Sequence, residues 1–243
     1  MQYWGITDPG CVRSQNQDTY LVEVLGRNAL VCVVCDGMGG AKSGNVASSL
    51  AADVFVQEVK RSWTPDMDAN QLDSMLQSAV KLANFTVYDQ AQQFDEFTGM
   101  GTTLVAVLVH GKKVTFVNVG DSRAYRINED GVTQQTTDHS LVQMMIARGE
   151  LTPEKARSYP GKNLITRAIG TETVVACDIS HCTMKTAECV LLCTDGLSNL
   201  LDEQEILFEV VHGAQKDQCC QRLLDIAKGR GAPDNITCVL IQI

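Results

Sequence analysis

The stretch Ala29-Leu-Val-Cys-Val-Val-Cys-Asp-Gly-Met-Gly-Gly40 governs how the rest of the chain is read. Its first seven residues are apolar, rich in valine and too few for a core helix, so they predict a strand covered on both faces. The strand ends on Asp36, and glycine follows at once. A carboxylate at the tip of a buried strand is held rigidly, and the glycine lets backbone approach whatever that carboxylate binds. The same device recurs at Val190-Leu-Leu-Cys-Thr-Asp195-Gly196. Three further aspartates fall at strand ends or in tight turns. Asp18 precedes the strand from Thr19, Asp121 sits in Val119-Gly-Asp-Ser-Arg123, and Asp234 opens the last strand in Pro233-Asp-Asn-Ile-Thr237. Aspartate is common in turns for backbone reasons alone. Spacing by itself therefore leaves open whether these five serve turns or converge on one site. If they converge, their mutual repulsion demands a positive partner, and a hard divalent cation such as Mg²⁺ or Mn²⁺ suits oxygen ligands.

Working outward, strands are predicted at Gln2–Thr7, Thr19–Val24 and Ala29–Cys35, separated by Asp-Pro-Gly and Gly-Arg-Asn turns. Apolar residues at helical spacing predict two helices, one carrying Val46 to Val59 and one carrying Leu72 to Ala91. Ser43 and Asp68 are the candidate caps, and the first helix stops near Trp63-Thr-Pro65. Strands resume at Thr102–His110, Lys113–Val119 and Ser122–Ile127. Residues 140–173 combine short helical pieces, Leu141–Arg148 and Pro153–Arg157, with a Tyr159-Pro-Gly turn, and read as a lid or insert. Strands at Val174–Cys182 and Glu188–Cys193, helices at Asp202–Val211 and Gln215–Lys228, and a strand at Ile236–Ile243 complete the pattern. Strands in runs followed by helices in runs predict an α+β fold with antiparallel sheets. No repeat or linker divides the chain, so residues 1–243 read as one domain.

Composition narrows the function classes. The 243 residues are 44% hydrophobic and 20% charged, as in an ordinary globular protein. A net charge of −9 argues against a broad nucleic-acid face. No apolar run approaches the ~18–20 residues that span a bilayer. The opening Met1-Gln-Tyr-Trp-Gly-Ile-Thr-Asp8 lacks the basic and apolar regions of a secretory signal, and the expectation is a cytoplasmic protein without a membrane partner. The ten cysteines are too dilute for a disulfide scaffold. Cys32 and Cys35 lie three apart in a strand and so point to opposite faces, which excludes a shared metal. All ten are expected to be reduced and mostly buried.

The ordered motifs identify a resemblance. Thr7-Asp8 and Gly10 lead into Arg13-Ser-Gln-Asn16-Gln-Asp18. Then follow Asp36-Gly-Met-Gly-Gly40, Gly101-Thr-Thr103, Asn118-Val-Gly-Asp-Ser-Arg123, Thr137-Asp-His-Ser140, Thr194-Asp-Gly196 and Asp234-Asn-Ile-Thr237. Singly these are weak; as an ordered set over essentially the whole chain they resemble metal-dependent serine/threonine phosphatases of the PP2C type, most of all the compact bacterial members. The resemblance implies two antiparallel sheets packed as a sandwich with helices on both outer sides, a four-layer αββα arrangement. It implies two core Mn²⁺ or Mg²⁺ ions and a third. Asp36 would bridge the two core ions, with the Gly37 carbonyl on one of them. Asp195 and Asp234 would complete the shell of the second ion, Asp18 would act directly or through water, and Asp121 with Asp195 would hold the third ion. Arg13 would bind the substrate phosphate. Metal-activated water would hydrolyse phosphoserine and phosphothreonine in proteins with no covalent intermediate, leaving the cysteines dispensable. Residues 140–173 match the family's variable flap. The implied partners are phosphorylated proteins and a cognate kinase, and nothing in the chain calls for an obligate oligomer, so a monomer is expected.

Some residues depart from the family pattern. Gln17 stands where many relatives have glutamate, and Met38 stands where eukaryotic members have a histidine suggested as general acid. His139 is the nearest motif-borne acid, with a structural turn role the simpler reading. His110, His181 and His212 read as surface or turn residues, Arg123 as structural, and Met144-Met145 as packing. Lys42-Ser43 has the ending of a phosphate-binding P-loop, but Asp36 and Ala41 stand where that motif needs glycines. Three other readings compete: a phosphatase of small metabolites on the same fold, a phosphoprotein-binding pseudophosphatase, and a cysteine-based metal or redox protein.

Overall fold

Strand β3, Ala29–Met38, is buried along most of its length because apolar layers cover both its faces. Leu30, Cys32 and Val34 point into one layer; Val31, Val33 and Cys35 point into another. Cys32 and Cys35 thus face opposite ways, as their spacing predicts. The computed structural model describes residues 1–39, 43–156 and 159–243. Gly40, Ala41, Lys42 and Arg157, which figure in the readings above, lie outside the described residues.

Around β3 the chain builds two antiparallel sheets. One contains β2 (Asp18–Gly26), β3, β5 (Leu104–His110), β6 (Lys113–Val119) and β9 (Asp178–Thr183) in that order, with the short β4 (Gly101–Thr102) paired to the end of β3. The other runs β1 (Gln2–Asp8), β11 (Ile236–Gln242), β10 (Cys189–Cys193), β7 (Arg123–Asn128) and β8 (Gly131–Gln134). Every pairing is antiparallel. Val105, Val107, Leu192, Val239 and Ile241 join Leu30 and Val34 in the layer between the sheets.

Helices cover the outer faces. α1 (Gly44–Ser62) and α2 (Ala69–Gln93) lay Ala47, Ala51, Phe55, Leu76, Val80 and Val87 on the first sheet. On the second sheet, α7 (Cys219–Gly229) and α6 (Glu203–Leu207) supply Cys220, Leu223, Leu224 and Ile206. Three apolar layers make four layers of structure, and each large side chain buried in them contributes about 1.5–3 kcal/mol. Asp68 caps α2 in a reciprocal box with Gln71, as expected. Ser43 occupies the N-cap position of α1, but its side chain does not make the capping bond.

The other differences from the predicted elements have local causes. β9 begins at Asp178 instead of Val174, because the side chain of Asn84 takes the carbonyls of Glu172 (3.0 Å) and Thr173 (3.3 Å) and bends the approach to the sheet. The predicted helix over 202–211 splits after α6: Gly213 N–H reaches back five residues to the Phe208 carbonyl (3.0 Å), giving a wider turn, Phe208–His212. The next helix starts at Cys219, after Gln215 takes a left-handed backbone with φ 58°. Three elements were not foreseen: β8, the short α5 (Asp195–Ser198) and a 3-10 turn at Asp95–Phe97. Within residues 140–173, α3 (Leu141–Ala147) and α4 (Pro153–Ala156) stand where helical pieces were predicted. No residue of α3 is buried, so Met144 and Met145 are not the packing pair expected.

Candidate metal and phosphate site

The five aspartates meet at one end of the sandwich, where tips of both sheets come together. β2 and β3 deliver Asp18 and Asp36 as direct cross-strand partners. The β6–β7 turn brings Asp121, the end of β10 brings Asp195, and the approach to β11 brings Asp234. A pocket of about 280 Å³ is lined by Asp36, Gly37, Asp121, Asp195, Asp234 and Arg13. Gly37 is required by close approach: a Cβ there would lie 2.0 Å from the Gly44 carbonyl oxygen.

Asp36, Asp18, Asp195 and Asp234 are each held by an identifiable brace. The Asp36 N–H donates to Thr103 Oγ1 (2.9 Å), and its carbonyl accepts from Thr103 N–H (2.9 Å) and Thr102 Oγ1 (2.9 Å). Asp18, 7% exposed, accepts from Thr194 Oγ1 at Oδ2 (2.9 Å). Thr194 in turn accepts from Thr237 N–H (3.0 Å) and is bonded through its own N–H to the Thr237 carbonyl (3.0 Å). Asn199 donates to Asp195 Oδ2 (3.1 Å). Arg13 Nη2 donates to Asp234 Oδ2 (2.9 Å), and both side chains keep substantial exposure at the mouth. Asn235 ties down the loop that carries Arg13. Its Nδ2 donates to the carbonyls of Pro9 (3.0 Å) and Gln15 (2.9 Å), and its Oδ1 accepts from Gln17 N–H (2.8 Å). Gln17 contributes backbone to the frame: its carbonyl accepts from Gly37 N–H (3.1 Å) and Ser48 Oγ (2.6 Å).

The electrostatics show what the cluster lacks. Burial, then the charges of Asp18, Asp195, Asp121 and Asp234, pushes the Asp36 carboxyl well above the usual carboxylate range. Burial pushes Asp18 up to about 7, against the bonds from Thr237 and Thr194. Asp121 is likewise pushed up to about 7 by burial and by the charge of Asp195. Burial and Asp234 raise Asp195. Asp18 Oδ1 is fully buried with no hydrogen-bond partner among the described residues. A buried carboxylate oxygen without a donor, inside a cluster that resists ionisation, fits an oxygen-seeking cation. Among the described residues, no three acidic, imidazole or thiol side chains form a ready-made metal cage. Mg²⁺-like ions are compatible with that, because they keep several waters and take only one or two carboxylates each.

The residues that sequence reasoning missed are the braces: Thr102, Thr103, Thr194, Thr237, Asn199 and Asn235. Thr194, Asn235 and Thr237 lie inside motifs that carried the aspartates, and Thr102 and Thr103 belong to the motif Gly101-Thr-Thr103 itself; that was their signal. Arg123 is structural as expected, forked onto Asp138 (2.7–3.1 Å). His139 is buried with both ring nitrogens engaged, which removes it as a proton donor to substrate. His181 bridges Thr115 and Asp73, and His110 stands edge-on to Trp63. All ten cysteines are free; seven are buried and only Cys11 is exposed.

Residues 12–226 match the family model for Protein phosphatase 2C. The chain belongs to the protein phosphatase 2C family. Its relatives in the family include the serine/threonine phosphatase stp of Listeria innocua, 34% identical over 236 residues that cover 97% of this chain and 93% of that one. The solved serine/threonine phosphatase of S. agalactiae superimposes with a TM-score of 0.93 at 30% identity, covering 100% of this chain and 99% of that one. A third, the catalytic domain of the phosphatase PstP, was solved in complex with two manganese ions; it is 32% identical, with a TM-score of 0.82 over 98% of this chain and 96% of that one. The four-layer architecture of this chain is that of its protein phosphatase 2C relatives.

Proposed function

We propose that this protein phosphatase 2C chain is a metal-dependent protein serine/threonine phosphatase that hydrolyses phosphoserine and phosphothreonine monoesters. The observation that carries the reading is the convergence of Asp36, Asp121, Asp195 and Asp234 on one pocket beside Arg13, next to Asp18, whose Oδ1 is buried and unpartnered among the described residues. In this reading Asp36 would help hold both core ions and the Gly37 carbonyl would be a ligand to one of them. Asp195 and Asp234 serve the second ion, Asp18 acts directly or through water, and Asp121 with Asp195 serves a third. Mn²⁺ or Mg²⁺, when bound, supplies Lewis-acid charge and acidifies a water enough to act as nucleophile near neutral pH.

The protein's own part is positional. The threonine braces hold the carboxylates before any ligand arrives, so little reorganisation is needed during reaction. Arg13, exposed and loosely held by Asp234, offers a planar fork to the phosphoryl oxygens. Met38 cannot donate a proton and His139 is committed elsewhere, so protonation of the leaving oxygen falls to water.

A cavity of about 820 Å³ adjoins the pocket and shares Asp121, Asn163 and Asp195 with it. That extra space suits a polypeptide around the phosphorylated residue better than a small metabolite. Residues 140–173 are read as a flap over this cleft on a single domain spanning 1–243. The partners in this reading are phosphorylated proteins and the kinase that modifies them, met by a cytoplasmic monomer. Among the described residues no helix is long and apolar enough to cross a membrane.

The test is hydrolysis of a phosphothreonine peptide by metal-stripped protein, with Mn²⁺ or Mg²⁺ titrated back. Activity should require metal, survive thiol alkylation, and fall in Asp36→Asn by more than the ~10–100-fold typical of changes behind a metal's ligands. Metal binding with turnover of small phosphate esters but not phosphopeptides would favour a metabolite phosphatase. Loss on alkylation with no metal response would overturn the reading.

A further inference from the structure

His139 stands between the base of the flap and the turn that carries Asp121. Its N–H donates to the Gly120 carbonyl (2.9 Å), and the Gly120 N–H donates to His139 Nδ1 (3.0 Å). Its own carbonyl accepts from Thr166 N–H (2.8 Å) on the returning limb of the flap. A backbone N–H can only donate, so Nδ1 carries no proton and the neutral ring is protonated at Nε2. Nε2 lies 3.2 Å from Asp178 Oδ2, while Arg167 Nη1 donates to Asp178 Oδ1 (2.8 Å). Two donors thus share one carboxylate. Burial, together with the Arg167 charge 3.0 Å away, holds the imidazole below its usual range against the pull of Asp178. The far side of the Asp121 turn is fixed as well: Ser122 Oγ meets Thr103 Oγ1 at 2.7 Å, the same hydroxyl that receives the Asp36 N–H. Gly120 has φ +111°, and a Cβ there would lie 2.6 Å from the Thr103 side chain, so the turn has no slack on that side.

We propose that His139 is a positioning residue that locks the backbone of the Asp121 turn to the base of the flap, so that the cation affinity of Asp121 and the placement of the flap are set together. This rests on the reading of Asp121 as a cation ligand. The substitutions His139→Asn, His139→Gln and His139→Ala separate the two links. Asparagine places an acceptor near the position of Nδ1 and keeps the Gly120 bond; glutamine reaches the position of Nε2 and keeps the Asp178 contact; alanine loses both.

Mn²⁺ binding would be measured by calorimetry without substrate, beside thermal melts and the kcat and KM on a phosphothreonine peptide. The expected result is Mn²⁺ binding weakened about 10–100-fold in His139→Gln and His139→Ala. In His139→Asn binding should return close to wild type, with the peptide KM still raised. If the alanine variant does not melt cooperatively, the contrast between asparagine and glutamine carries the test. Equal loss in the asparagine and glutamine variants, or wild-type binding in all three, would overturn the proposal. Asp121→Asn is run alongside: unchanged Mn²⁺ binding there overturns the cation role of Asp121 itself, whichever way the His139 variants behave.

Discussion

Asp18 has one carboxylate oxygen held by Thr194 and one that meets no donor among the described residues. Thr194 is the side chain that fixes which oxygen is which, and it is itself locked by Thr237. Thr194→Val keeps the shape and removes the hydroxyl, so the carboxylate loses the donor that orients it from the end of β10 while the fold keeps its packing. The expected outcome is Mn²⁺ affinity reduced by about 10–100-fold, with a much smaller change in peptide KM. Calorimetry on the valine variant checks it, and an unchanged affinity would show that Thr194 serves only the strand. At this scale the carboxylates were legible in the sequence because aspartate followed by glycine at a strand tip has a local pattern. The threonines were not, because a hydroxyl that braces a carboxylate 176 positions away has no local pattern at all.

Among the elements, the strands with continuous apolar runs were legible and the approaches to them were not. β3 and β6 announced themselves by composition. β9 was misplaced by several residues because a side chain on α2, Asn84, sets where it begins. Asn84 is buried, accepts from Gly170 N–H (2.8 Å) and donates to two further carbonyls of the segment that closes the flap. Asn84→Ala leaves these backbone groups without their partner, at a cost of about 1–3 kcal/mol for each that stays buried. The expected outcome is a lower thermal midpoint and faster proteolytic cleavage within residues 159–175. Cleavage at the wild-type rate would mean that the flap is held by its own contacts. α5 escaped prediction for a related reason: a four-residue helix that begins on Asp195 is too short to show a period.

For the molecule as a whole, the aspartate cluster makes stability depend on pH in a direction opposite to most proteins. Asp18 and Asp121 sit near 7 in the folded chain, against an ordinary value of 3.8. Between those limits the folded, metal-free protein holds protons that the unfolded chain has released. That contribution is therefore full at the acid end and lost as pH rises through 7. Glu188, pulled down to about 2 by Arg126, acts the other way: its contribution is present above its ordinary value of 4.5 and fades only below it, outside this window. The thermal midpoint of metal-free protein is expected to fall between about pH 5.5 and about pH 8, and saturating Mn²⁺ to abolish the fall by taking the place of the protons. A flat profile without metal would mean that the carboxylates are hydrated or spread apart in solution.

The order of strands in the second sheet has a consequence for biosynthesis. β1 lies at the sheet's edge and, among the described residues, pairs only with β11, although the two are separated by almost the full length of the sequence. A ribosome makes the first of these strands long before the second, and non-local pairings close late. The opening strand must therefore wait, unpaired, until residues 236–242 have cleared the exit tunnel. Asp234 and Asn235, which anchor Arg13 and its loop, emerge with that same strand. A nascent chain stalled before this point would carry Asp18, Asp36, Asp121 and Asp195 and still lack the strand that anchors Arg13 beside them, so the phosphatase stays silent until residues 236–242 are in place.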